Sequence, residues 1–177
     1  FFSQQGASVR IATVARTGGA VQLGLDLAGE AVGSPVPGPG GRVAYVRSRW
    51  NQPNELCVAD GIHGEARAVS AVNASIAACT FSPVRTLRWK SDDGVSVEGV
   101  LVRPVGAAEK VALKTLVLLH GGPYQTRYGI GMQVMAQFMA SRGYQVFLPN
   151  FRSSGGYGTT FMLRKRADWG GQDWRDV

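Results

Sequence analysis

The sequence predicts a chain in two parts: short antiparallel strands up to about residue 84, then an α/β part built on parallel strands. Three observations predict it. Before residue 84, short apolar and β-branched runs alternate with Gly, Pro, Asn and Asp turn signals. Further on, Thr115-Leu116-Val117-Leu118-Leu119 is a run with no polar face that stops at His120-Gly121-Gly122-Pro123. A helical pattern and a second apolar run follow it, which is the order of a βαβ unit.

Taken in order, Arg10 to Ala15 and Val21 to Leu27 flank Thr17-Gly18-Gly19 and predict a hairpin. Residues 33–41, Gly-Ser-Pro-Val-Pro-Gly-Pro-Gly-Gly, read as a loop by composition. Val43 to Arg47, Glu55 to Ala59 and Glu65 to Val69 then form most of a four-stranded antiparallel unit, with turns at residues 50–54 and 60–64. Units of that kind repeat around a β-propeller. A small β-sandwich satisfies the same pattern. Leu87 to Lys90 and Val95 to Val102 flank Asp92-Asp93-Gly94, a tight hairpin turn. Val95, Val97 and Leu101 alternate with Ser96 and Glu98, which predicts one buried and one more polar face.

After Pro104 the pattern changes. A strand apolar on both faces, as Thr115 to Leu119 is, belongs in the middle of a sheet covered on both sides. Ile130, Val134, Met135, Phe138 and Met139 fall on one helical face, read as core, and Gly143 is the expected left-handed cap. Val146 to Leu148 is the second apolar strand, ended by Pro149. Asn150 to Gly158 reads as an ordered loop, and the stretch from Asp168 opens another helix.

The chain has 177 residues, starts at Phe1 rather than Met, and is expected to be a piece of a longer protein. No run is long and apolar enough to span a membrane. The net charge of +7, from 19 Lys and Arg against 12 Asp and Glu, is scattered; only Arg164-Lys165-Arg166 clusters, beside no nucleic-acid-binding motif. A solvated basic surface explains it better than nucleic acid. Cys57 and Cys79 make no metal-ligand spacing, so no metal or cofactor is expected; they read as two buried free thiols, and a pair between strands fits as well.

The Gly-Gly turn leaving the carboxyl end of an apolar strand is where α/β folds place their chemistry. Its backbone N–H groups can point at a developing oxyanion. The same residues also read as a tight turn with a chance histidine.

His120-Gly121-Gly122-Pro123, then Asn150-Phe151-Arg152-Ser153-Ser154-Gly155-Gly156-Tyr157-Gly158, then Trp169-Gly170 with Asp173 and Asp176, stand in the order seen in prolyl oligopeptidase family serine peptidases. The chain most resembles the acylaminoacyl-peptidase-like branch. Ser91 to Pro104 resembles the start of that family's hydrolase domain, and Pro53 to Asp60 with Val69 to Asn73 its last propeller blade. Ser153 stands where the family usually carries glycine. The resemblance implies the N-terminal part of an α/β-hydrolase domain at residues 85–177, preceded at residues 1–84 by antiparallel β of a β-propeller.

The resemblance further implies a serine peptidase acting on short or N-blocked peptides through an acyl-enzyme. An α/β-hydrolase nucleophile sits in Gly-x-Ser-x-Gly, followed by Asp and His. The sequence contains no Gly-x-Ser-x-Gly, and its histidines are His63 and His120. The family's triad is therefore expected outside these residues, and the 177 residues alone are expected to be inactive and aggregation-prone. What remains is the oxyanion loop: Gly122 as backbone donor, Gly121 permitting the turn, His120 orienting it. Arg152 is expected to pair with Asp173 or Asp176, or to be solvated. The implied partner is a peptide, with neither nucleic acid nor membrane, and a homo-oligomer is allowed. The compartment is open, with the cytoplasm favoured. A non-catalytic propeller/hydrolase-like binding protein and an esterase on the same fold are the alternatives.

Overall fold

The computed structural model describes residues 1–122, 126–164 and 168–177. Pro123 and Tyr124 of the Gly-Gly turn, and Lys165 and Arg166 of the basic cluster, lie outside the described residues.

The first part forms two antiparallel sheets. β1 (Phe2–Gln5), β2 (Ser8–Thr13) and β3 (Gln22–Asp26) pair in that order. The β2–β3 connection turns through Gly18 and Gly19, both at positive φ, as the turn signal predicts. β1 has no predicted counterpart, because Ser3, Gln4 and Gln5 carry no strand pattern. The second sheet has the order β4 (Glu30–Pro37), β5 (Val43–Arg49), β6 (Gln52–Ala59), β7 (Ala66–Ala68), the four-stranded unit anticipated for this stretch.

β4 corrects the first part of the loop expected at residues 33–41: residues 33–37 are strand, while residues 38–41 lie outside any strand. It lies at the sheet edge, where a proline need not cost a ladder bond. Its register shifts between Val32 and Val36, with Gly33 at φ 75° in the irregularity. Prolines and glycines that argue for a loop are thus absorbed by a bulged edge strand. Val9, Ile11, Leu27, Val43, Tyr45, Cys57 and Ala59 form the core of this part. Cys57 is buried in it, whereas Cys79 is exposed just past the short helix α1 (Ala74–Ala77); both thiols are free.

The second part contains the hairpin β8 (Val84–Lys90) and β9 (Ser96–Val102), then β10 (Thr115–Val117), α2 (Val134–Ser141) and β11 (Gln145–Asn150). Its sheet runs β10-β11-β9-β8. β10 and β11 are parallel, so β10-α2-β11 is the expected βαβ unit, while β11–β9 and β9–β8 are antiparallel. Two short helices follow, α3 (Thr159–Leu163) and α4 (Gln172–Arg175); the second is the helix expected after Asp168.

Three expectations are corrected here. β10 is an edge strand rather than a central one, and Val117 and Leu119 are about half-exposed. Among the described residues only β11 pairs with it, so the apolar run has a neighbour on one side alone. The predicted helix begins at Val134, leaving Ile130 in the preceding loop, and its large apolar residues are not core: Val134, Met135 and Phe138 are 72%, 62% and 52% exposed. The helix buries Ala136 and Ala140 instead, against Val100, Val102, Val146 and Leu148, with Met139 and Ile130 at the margin. Small side chains one turn apart let the helix approach the sheet closely. Last, β9 is buried on both faces from Val97 onward, and Glu98, expected on a polar face, is 5% exposed. The helix end matches expectation. Gly143 sits at φ 89°, its N–H donates to Ala140 O at 3.0 Å, and Tyr144 N–H donates to Met139 O at 3.2 Å, a Schellman cap.

Candidate active site

The parallel pair ends with both strands delivering a glycine-rich loop to the same end of the sheet. Leu118 N–H donates to Phe147 O at 2.9 Å, so the chain stays in register with β11 one residue beyond β10. His120-Gly121-Gly122 then leaves the sheet beside the loop that follows Asn150. Gly122 has φ 96°, in the region that a Cβ disfavours. Gly121 has no such φ, and a Cβ there would meet nothing within 4 Å. The conformational demand for glycine therefore falls on Gly122, not on Gly121.

His120 is held from three directions. Its ring stacks on Phe151, with centroids 4.4 Å apart and planes at 13°. Tyr128 meets it edge-on at 5.4 Å. Its Nε2 lies 2.8 Å from Ser154 Oγ, and Ser154 itself donates to Phe151 O at 2.6 Å. A hydroxyl has one proton, and this one goes to the carbonyl, so Nε2–H must be the donor to Ser154. Nδ1 lies 3.1 Å from Gly121 O, a contact it can donate to only when the ring is protonated, since in the neutral ring the single proton sits on Nε2. Burial pushes the imidazole below its ordinary pKa, with the Gly121 carbonyl opposing, which favours a neutral ring. Ser154 and Phe151 belong to one loop and Gly121 to the other, so the ring ties the two together.

The Asn150 loop is ordered from inside. Asn150 is fully buried; its Oδ1 accepts Tyr128 N–H at 2.6 Å and its Nδ2 donates to Tyr128 O at 2.8 Å. Arg152 is also fully buried, which rules out the solvated alternative. Its guanidinium lies between Asp176, with contacts of 2.6–3.0 Å, and Asp93, at 2.7 and 3.0 Å. Its backbone N–H also donates to Asp176, at 2.7 Å. Of the two expected partners Asp176 is used, while Asp173 accepts Trp174 N–H. The hydrogen bond from Arg152 holds the Asp93 carboxyl far below its usual range. The guanidinium is raised in turn, first by Asp176 and then by Asp93.

Sequence reasoning missed Asp93, Glu98, Tyr128 and Tyr157. Asp93 reads as a turn residue and Glu98 as a solvent-facing one, and no local pattern marks either as buried or bridging. Among the described residues no group of three or more His, Cys, Asp or Glu could hold a metal ion, and no helix is long and apolar enough to cross a membrane.

The chain is similar to known peptidases. The family model "Prolyl oligopeptidase family" matches residues 131–177. An uncharacterized peptidase of Bacillus subtilis, YuxL, is 36% identical over 98 residues, 55% of this chain and 15% of its own length. The acylamino-acid-releasing enzyme of Sus scrofa is 30% identical over 84 residues, 48% of this chain and 11% of its own. A solved acylaminoacyl peptidase in complex with Z-Gly-Gly-Phe-chloromethyl ketone superposes with a TM-score of 0.83 at 27% identity, over 99% of this chain and 27% of that one. The chain thus spans a minor share of each protein it matches. With the Gly-Gly turn, the Asn150 loop and these likenesses together, the chain is similar to the prolyl oligopeptidase family, whose model matches residues 131–177, and within it to the acylaminoacyl peptidases.

Proposed function

We propose that the protein containing this chain is a serine peptidase that cleaves short or N-blocked peptides through an acyl-enzyme, with Gly122 N–H as one donor to the oxyanion. The observation that carries the reading is the conformation of Gly122: φ 96°, exposed, at the carboxyl end of a parallel strand and braced through His120. A backbone donor fixed before the substrate arrives needs no reorganisation during acyl transfer. The Gly121–Gly122 turn supplies the path, and His120 orients it without acting as a base, since its Nε2 proton is engaged by Ser154. Residues 1–84 are then the end of a propeller and residues 85–177 the start of the hydrolase domain. The blocked peptide bound by the solved relative makes a blocked or short peptide the expected substrate class.

The triad serine, aspartate and histidine are assigned outside these 177 residues, which alone are inactive. In the full-length protein a fluorophosphonate probe should label a serine outside residues 1–177; label on Ser153 or Ser154 would overturn the assignment. Replacing Gly122 by proline would delete the N–H but also break φ 96°, so the cleaner test replaces the Gly121–Gly122 amide by an ester. Loss of that one N–H should lower kcat by about 10²–10³-fold. An unchanged kcat would place the donor elsewhere.

A further inference from the structure

We propose that Glu98 and Tyr157 are positioning residues that couple the docking of the N-terminal β segment to the loop carrying His120 and Gly122. The Glu98 carboxylate is a buried junction. Its Oε1 accepts Ala7 N–H at 3.0 Å and Tyr157 O–H at 3.0 Å, and its Oε2 accepts Arg88 Nε–H at 2.7 Å. Tyr157 passes the connection on: its hydroxyl accepts Asn150 Nδ2–H at 2.8 Å. Asn150 grips both backbone groups of Tyr128, and the Tyr128 ring meets His120 edge-on. The side-chain oxygens and nitrogens of Glu98, Tyr157 and Asn150 all have partners, which makes the series a relay with defined geometry rather than a loose polar cluster.

The other end of the relay is the β1–β2 turn. Ala7 lies in the hydrophobic core of the second part although its own strands belong to the first. Gly6 N–H donates to Gly156 O at 2.9 Å, and Ile130 N–H donates to Ala7 O at 2.8 Å. A Cβ on Gly6, at φ 58°, would come within 2.8 Å of Glu98 Oε1, so the turn is fitted against that carboxylate. One carboxylate therefore receives the docked turn and orients the tyrosine that holds the Asn150 loop. If the turn withdraws, Glu98 loses a donor, and Tyr157, Asn150 and Tyr128 lose a fixed reference. The kinetic consequence rests on the acyl-transfer reading above; the structural one does not.

Two variants of the full-length protein test it. Tyr157→Phe keeps the ring and removes the hydroxyl. Glu98→Gln keeps the shape and replaces the anion by a weaker, neutral acceptor. Hydrogen exchange resolved to single amides reads the relay whether or not the protein is active. Tyr157→Phe should accelerate exchange at Tyr128 and leave Ile130 unchanged, while Glu98→Gln should accelerate both. In steady-state peptide hydrolysis Tyr157→Phe should lower kcat at an unchanged KM, by up to ~10²-fold if the oxyanion donor moves by an ångström. An unchanged Tyr128 exchange rate in folded Tyr157→Phe would overturn the relay. A faster rate there without any loss of kcat would overturn its link to the oxyanion loop. A wild-type protein with no hydrolytic activity would overturn the peptidase reading alone, with the exchange result still deciding the relay.

Discussion

Ser153 carries an unusual conformational demand and His120 an unusual protonation demand, and each makes a prediction. Ser153 has φ 85° and is 7% exposed. A side chain in the left-handed region costs roughly 1–2 kcal/mol, and glycine there relieves it at some cost in unfolded-state entropy. Ser153→Gly should therefore raise stability by up to about 1 kcal/mol in urea unfolding. A loss instead would mean that the hydroxyl makes a contact worth more than the strain. His120 makes the second prediction. Burial lowers its native pKa below 6.5, so below that pH the unfolded chain takes up a proton that the folded one resists. Its contribution is complete above 6.5 and is lost as pH falls toward the lowered native value. Unfolding free energy measured from pH 8 to 5 should fall in the wild type and fall less in His120→Asn; parallel curves would mean that the ring titrates normally in the fold.

At the scale of elements, α2 shows what a periodic pattern reveals and what it hides. Ala136→Leu should destabilise by about 1–3 kcal/mol, because a larger side chain cannot enter the contact with β9 and β11 without moving them. Val134→Gln, on the exposed face, should stay within about 0.5 kcal/mol. A clear cost at Val134 in thermal unfolding would show that another surface seats on that face. The sequence reveals the helix and its Gly143 cap, since both follow from local spacing. It does not reveal which face turns inward: Ala136 and Ala140 carry almost no hydrophobic signal, and their value lies in letting the helix come close. The same limit explains the other misses. The strand character of residues 33–37 depends on pairing with β5, and Glu98 is buried because partners far along the chain satisfy it. His120 and the two loops stand out from the sequence because glycines at strand ends are a local mark. Tyr128 and Tyr157 do not, because their positions are set only by the assembled sheet.

At the scale of the whole molecule, Arg152 joins three pieces distant in sequence: the loop after β11, the β8–β9 turn through Asp93, and the α4 segment through Asp176. The last piece is also held by Trp89 Nε1–H, which donates to Asp176 O at 2.7 Å. The two carboxylates are not equivalent. Asp176 is fully buried with the guanidinium, whereas the Asp93 side chain is 35% exposed. Removing one partner of a fully buried pair leaves a charge that water cannot reach, a loss of about 3–5 kcal/mol, here softened by the remaining Asp93. Asp176→Asn should therefore cost on the order of 3 kcal/mol in urea unfolding. Asp93→Asn should cost distinctly less, because the solvent already screens that carboxylate. Arg152→Lys should not rescue the site, since an ammonium cannot serve two carboxylates with paired donors. Acid separates the two carboxylate variants further. Asp93 titrates at 3.8 in the unfolded chain and far lower when bonded to Arg152. Its contribution is present above 3.8 and is lost as pH falls toward the native value. The gap in stability between the wild type and Asp93→Asn should then close on acidification below 3.8. A gap that stays constant down to the acid limit would show that Asp93 acts through the shape of the turn and not through its charge.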